Sequence, residues 1–131
     1  MNSSKKFSLK ATERVKSRKI IQQLFKEGKS FAHFPLRVVY INLDSQIAPL
    51  QAGFSVSTKY FKRAVDRNRI KRLMRESYRL QKNELAEIIE KKGKHLSLFF
   101  IFTGKELPVY PLIFEKIGNV LKTLEATISG E

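Results

Sequence analysis

The sequence predicts an α+β fold, a two-layer sandwich with helices on a small mixed sheet, and three observations point to it. Residues 63–92 carry apolar side chains at helical spacing: Ile70, Leu73, Met74 and Ser77 fall on one side, continuing into Leu85 and Ile88. Leu36–Leu43 (LRVVYINL) is rich in β-branched residues, and Gln51–Thr58 alternates between apolar and small residues, as strands do. Leu96–Thr103 (LSLFFIFT) is an eight-residue apolar run, which suits a buried strand better than a helix of that length. The expected order is helix, two or three strands, long basic helix, strand, helix.

Length and composition set the bounds. The 131 residues predict one domain, 1–131, with a real but modest core, and 42% hydrophobic content is enough to fold it. Lys and Arg total 26 against 12 acids, a formal charge of +14, which argues for a polyanionic partner. A membrane surface is the rival, but the chain has no Trp and the apolar side of its basic helix is directed at a core. The absence of cysteine excludes disulfides and thiolate metal sites. No run reaches the ~18 apolar residues of a membrane span. The basic N-terminus lacks an apolar segment, so the expectation is a cytoplasmic protein with no membrane partner.

In chain order, residues 1–16 form a basic arm, with Lys5, Lys6, Lys10, Arg14 and Lys16 against Glu13; it is either a frayed terminus or a phosphate contact. Ser17 can cap the first helix and Gly28 can stop it. Between them Ile20, Ile21, Leu24 and Phe25 form an apolar face whose default role is packing. Residues 44–49 read as a turn. On the strand from Gln51, residues Ala52, Phe54 and Val56 share one face. Gly53, Ser55 and Ser57 share the other, which is small enough to leave room for an approaching group. Lys59–Lys62 is a turn in which Tyr60 and Phe61 supply either stacking or core. The basic helix starts near Arg63 or Ala64 and runs to about Lys92. Beyond Gln81 it is mixed in sign, and Gly93 ends it. Leu107–Pro111 is a loop. Ile113, Ile117, Val120, Leu121, Leu124 and Ile128 then make a last amphipathic helix.

The charge within Lys59–Arg79 is unusual. This stretch holds nine of the 26 cationic residues and two acids, Asp66 and Glu76. On a helical wheel Asn68, Lys71, Arg72, Arg75 and Arg79 fall within an arc of roughly 100°, flanked by Arg67 and Arg69. Arg67, Lys71, Arg75 and Arg79 follow one another at i+4, where like charges repel by roughly 0.2–0.5 kcal/mol per pair. Such a stripe weakens its own helix unless an anion meets it. Arg outnumbers Lys in it, which suits two-pronged contact with phosphate. Nucleic acid is therefore favoured over a merely solvated face.

The wording of the stretch is more specific than its charge. Gly53-Phe54-Ser55-Val56-Ser57, followed by Arg63-Ala64-Val65-Asp66-Arg67-Asn68-Arg69-Ile70-Lys71-Arg72-Leu73-Met74-Arg75-Glu76, closely resembles the signature of the bacterial ribonuclease P protein subunit, strongly over residues 51–79. The resemblance implies that an RNA subunit hydrolyses precursor tRNA with Mg²⁺ held mainly by RNA, while the protein binds ribonuclease P RNA and the 5′ leader of precursor tRNA. It implies RNA contacts from Arg63, Arg67, Asn68, Arg69, Lys71, Arg72, Arg75 and Arg79. It implies a leader cleft, between the first helix and the sheet, lined by Ile21, Phe25, Tyr40, Ser55 and Ser57. It also implies a left-handed strand–helix–strand crossover, against the usual right-handed rule. Two departures stand out: Lys59–Lys62 lacks the glycine common in that turn and is one residue longer, and Ile21 cannot stack as a ring would.

No self-sufficient active site is legible. His33 and His95 have no carboxylate partner suggested by spacing, and Gly104-Lys105-Glu106 lacks the flanking residues of a phosphate loop. No clustered carboxylates suggest a two-metal site, so neither a catalytic residue nor a metal ligand is expected in the protein. The alternative reading is a non-enzymatic, ribosome-associated RNA-binding module of the same fold. A DNA-binding domain is the least favoured, because no helix-turn-helix partner precedes the basic helix, and no DNA is expected.

Overall fold

Eight elements follow one another: α1 (Arg18–Glu27), β1 (Lys29–His33), β2 (Leu36–Asn42), β3 (Leu50–Val56), α2 (Ala64–Gln81), α3 (Asn83–Lys91), β4 (Leu96–Phe102) and α4 (Tyr110–Ser129). The structure, a computed structural model, describes residues 14–15, 18–42 and 49–130. Most of the basic arm, the Ser17 cap and most of the 44–49 turn lie outside the described residues.

The four strands form one mixed sheet in the order β1-β2-β4-β3. β1 and β4 both run antiparallel to β2, and β3 runs parallel to β4 with Gly53 opposite Phe99 and Ser55 opposite Ile101. The parallel pair is joined through α2 and α3, so this is the connection to which the expected crossover applies. The third strand left open by the sequence is β1. Its polar residues Lys29, Ser30 and His33 hide the alternation, and it pairs with β2 through Phe31 opposite Val38.

Because side chains alternate across a strand, the sheet has two distinct faces. Leu36, Val38, Ala52, Val56, Leu98, Phe100 and Phe102 face the large core, with α2, α3 and α4 laid over them. Val39 and Phe99 face the other way, and with Val15 and Leu24 form a second, smaller cluster under α1. The sandwich of helices on a sheet is thus supplemented by α1, which covers part of the second face. Val15 is held there by its backbone N–H, which donates to Ala52 O on the edge strand β3 at 3.0 Å.

The long helix divides at Lys82, a nearly buried residue at φ −74°, ψ −17°. Gln81 Nε2 donates to Ser77 O at 3.1 Å and to Phe114 O of α4 at 3.0 Å, fastening the end of α2 to its neighbour. The break shifts the apolar stripe: Leu85 and Ile89 are fully buried, and Ile88, expected inside, is only half-buried. The last helix begins within the expected loop, because Pro111 occupies its first turn, where a missing N–H is harmless. His33 ties β1 to α4 through a 3.0 Å hydrogen bond between Nε2 and Thr123 Oγ1.

Candidate nucleic-acid interface

The N-terminal half of α2 is built by its own arginines. Its N-cap residue, Arg63, has extended backbone and no side-chain cap. Arg63 Nε lies 3.2 Å from Asp66 Oδ2, which places an acid in the first turn, where the helix dipole favours it. Arg67 turns back: its Nη1 donates to Phe61 O at 2.8 Å and to Lys62 O at 2.7 Å, clamping the preceding loop to the helix. At the far end Arg79 donates to Glu76 from Nε, at 3.2 Å, and from Nη2. That hydrogen bond holds the Glu76 carboxyl below the usual carboxylate range despite some burial, and raises Arg79. Arg63, Arg67 and Arg79, all expected to contact RNA, therefore have intramolecular tasks that spacing did not reveal.

The remaining donors are differently placed. Asn68, Arg69 and Arg72 are exposed, Lys71 is half-exposed, and none of the four has an acidic partner among the described residues. Arg75 lies over the ring of Phe54, its guanidinium carbon 5.9 Å from the centroid, a geometry in which the ring face attracts the cation. Phe54 stacks on Phe100 at 5.4 Å, so Arg75 is anchored to the core through two rings. Ile70 and Met74 are buried beneath this surface, and Ser77 is accommodated there by donating from Oγ to Leu73 O at 2.8 Å.

The charge is lopsided across the molecule. A groove beside α3 and α4 is lined by Glu84, Glu87 and Glu125 with Lys122. Burial raises the Glu125 carboxyl, with Glu84 adding to the effect. A polyanion is drawn to the unpaired cations near the start of α2 and turned away from this groove.

On the second face of the sheet, Phe25 projects from α1 with 54% of its surface exposed. Its ring meets Phe99 edge to face at 5.6 Å and 71°. Gly53 makes that seat possible: a Cβ there would stand 2.6 Å from the Phe99 ring. The space expected beside Gly53 is thus filled by Phe99 rather than left open. Ile21 packs half-buried against the same cluster, and Ser55 is half-buried on the same side of the sheet.

One expected cleft residue is placed differently, and another has an intramolecular task. Tyr40 is on the opposite face, packed against the large core with its ring 6.0 Å from Phe31, because it alternates with Val39. Ser57 Oγ accepts the Lys59 N–H at 3.2 Å, so its hydroxyl shapes the turn into α2. The alternative left open for the turn is also resolved: Phe61 is 6% exposed against Phe102, and Tyr60 points outward. Arg37, which sequence reasoning passed over, is exposed on β2 opposite Ile101, on the Phe25 side of the sheet.

Among the described residues, no group of three or more His, Asp or Glu side chains converges to hold a metal ion, and no helix is long and apolar enough to cross a membrane.

Residues 9–123 match the family model described as Ribonuclease P. The chain is 40% identical over 109 residues to the ribonuclease P protein component of Porphyromonas gingivalis strain W83, covering 82% of this chain and 80% of that one. It is 32% identical over 128 residues to the ribonuclease P protein component of Chlorobium phaeobacteroides, covering 89% and 88%. Among solved structures, the RNase P protein of Staphylococcus aureus superposes with a TM-score of 0.66 at 26% identity, covering 85% of this chain and 94% of that one. The RNase P protein of Thermotoga maritima gives 0.63 at 27%, covering 85% and 96%.

Proposed function

The chain belongs to the family of ribonuclease P protein components, and from that premise we propose how it takes part in removing the 5′ leader of precursor tRNA. The exposed, unpaired donors Asn68, Arg69, Lys71 and Arg72 bind phosphates of the ribonuclease P RNA, with Arg75 beside them. They lower the repulsion between two polyanions, the catalytic RNA and its substrate. Asn68 is neutral and both donates and accepts, so it orients an RNA group. The 5′ leader lies on the second face of the sheet, where Phe25 offers a ring to an unpaired base and Arg37 a charge to its phosphate. Hydrolysis belongs to the RNA subunit, whose Mg²⁺ supplies water activation. The protein's residues contribute charge and contact, and the particle works in the cytoplasm.

The observation that carries this reading is the separation of the helix cations into two sets. Arg63 and Arg79 are neutralised by neighbouring acids, while Arg69, Lys71 and Arg72 face solvent unpaired. The test is a cleavage assay with a bacterial ribonuclease P RNA at low Mg²⁺, following release of the leader. Cleavage that requires both components is expected. Salt-sensitive RNA binding without stimulation of several different ribonuclease P RNAs would leave only a non-enzymatic RNA-binding module.

Phe25→Ala tests the leader face in the same assay. Stacking on an aromatic ring is worth about 1–3 kcal/mol per base, so preference for precursor over mature tRNA should fall roughly five- to a hundredfold. Because Phe25 is half out of the core, its melting temperature should change little. A large drop in melting temperature with unchanged preference would make Phe25 a packing residue.

A further inference from the structure

We infer that Tyr60, flanked by Lys59 and Lys105, forms a separate subsite for an unpaired RNA base and its adjoining phosphates. This inference rests on the reading above only in taking RNA as the polyanion. Tyr60 is 39% exposed. Lys59 Nζ stands 5.4 Å and Lys105 Nζ 5.6 Å from its ring centroid. The two cations come from different loops, one leading into α2 and one following β4, and neither has an acidic partner among the described residues.

The backbone that presents Tyr60 is held from both sides. Phe61 is buried with its ring 5.9 Å from Phe102, and the Arg67 guanidinium binds the carbonyls of Phe61 and Lys62. A ring fixed by its neighbours binds without the ordering cost of a mobile loop. Both ammonium groups lie over the ring; a nucleobase of any sequence stacks on its π face by displacing a flexible lysine, whose ammonium then meets the phosphate beside that base. A paired base offers no free face, so the subsite selects single-stranded RNA. Exposed Lys62 and Arg63 link it along the chain to the cations of α2.

The chain has no tryptophan, so Tyr60→Trp introduces a single indole reporter. In the complete complex its fluorescence should be quenched by stacking. Quenching on assembly with ribonuclease P RNA alone assigns the base to that RNA. Quenching only after precursor tRNA is added, and not after mature tRNA, assigns it to the leader. Either result supports the subsite. Unchanged fluorescence in a complex that forms and cleaves overturns it while leaving the proposed function intact. Quenching by single-stranded RNA in a protein that supports no cleavage would leave the subsite standing and remove the function. As a second reading, Tyr60→Ala should weaken binding of a single-stranded oligonucleotide roughly five- to a hundredfold, with Tyr60→Phe close to the parent protein. Equal affinity of all three also overturns the inference.

Discussion

Replacing Arg69, Lys71 and Arg72 together by alanine is expected to lower RNA affinity by about two orders of magnitude at physiological salt. A hydrogen bond to a charged group is worth about 1.5–3 kcal/mol, and three lost phosphate contacts, discounted for exposure, give that figure. The more diagnostic quantity is the salt dependence. Each neutralised phosphate contributes about 0.7–0.9 to the slope of log affinity against log salt, through release of condensed counterions. The slope should therefore flatten by about two to three. Arg79→Ala is the control: Arg79 is bound to Glu76 through two nitrogens, and trading that acid for a phosphate gains little. Its effect on the slope should be under one. An unchanged slope for the triple variant would remove the first half of α2 from the RNA interface, and an equal effect from Arg79→Ala alone would show that pairing with Glu76 does not withhold Arg79 from RNA.

Much of this was legible in the sequence because the signals were local. The 3.6-residue period of Ile70, Met74 and Ser77 identifies the buried side of α2, and these residues are fully buried. The apolar run from Leu96 becomes β4, which like β2 is flanked by neighbours on both edges. What was hidden depends on partners distant along the chain, or on side chains that turn back. Wheel geometry places Arg67 at the edge of the basic arc. Only the folded loop reveals that its guanidinium binds two carbonyls. Tyr40 was expected in the cleft, yet its parity relative to Val39 sends it to the opposite face. That assignment requires knowing which face α1 covers. β1 was obscured because strand pairing, rather than a hydrophobic pattern, stabilises it. The break at Lys82 was obscured because both segments have ordinary helical composition.

The aromatic cluster beneath α2 is the other point at which a single change has a large effect. Phe100 is fully buried at the centre of β4, stacked on Phe54 with 9° between the rings and set edge to face against Tyr78 at 5.6 Å. Phe100→Ala should cost about 3–5 kcal/mol, combining lost transfer energy with a cavity that stiff neighbours cannot fill. For a domain of this size that lowers the melting temperature by roughly 10–20 °C and removes a large part of a total stability of about 5–15 kcal/mol. Phe100→Leu, which retains most of the volume, should cost less than half as much. The consequence for function is indirect and separable. Phe54 carries Arg75 over its ring face, but Arg69 and Arg72 are exposed and Lys71 half-exposed on α2, away from the buried ring of Phe100. At a temperature where the Phe100→Ala protein remains folded, the salt slope of RNA binding should stay within one unit of the parent. A flattening as large as that of the triple cation variant would mean that the helix cannot hold its charges in place without this ring, and that core and interface are not independent.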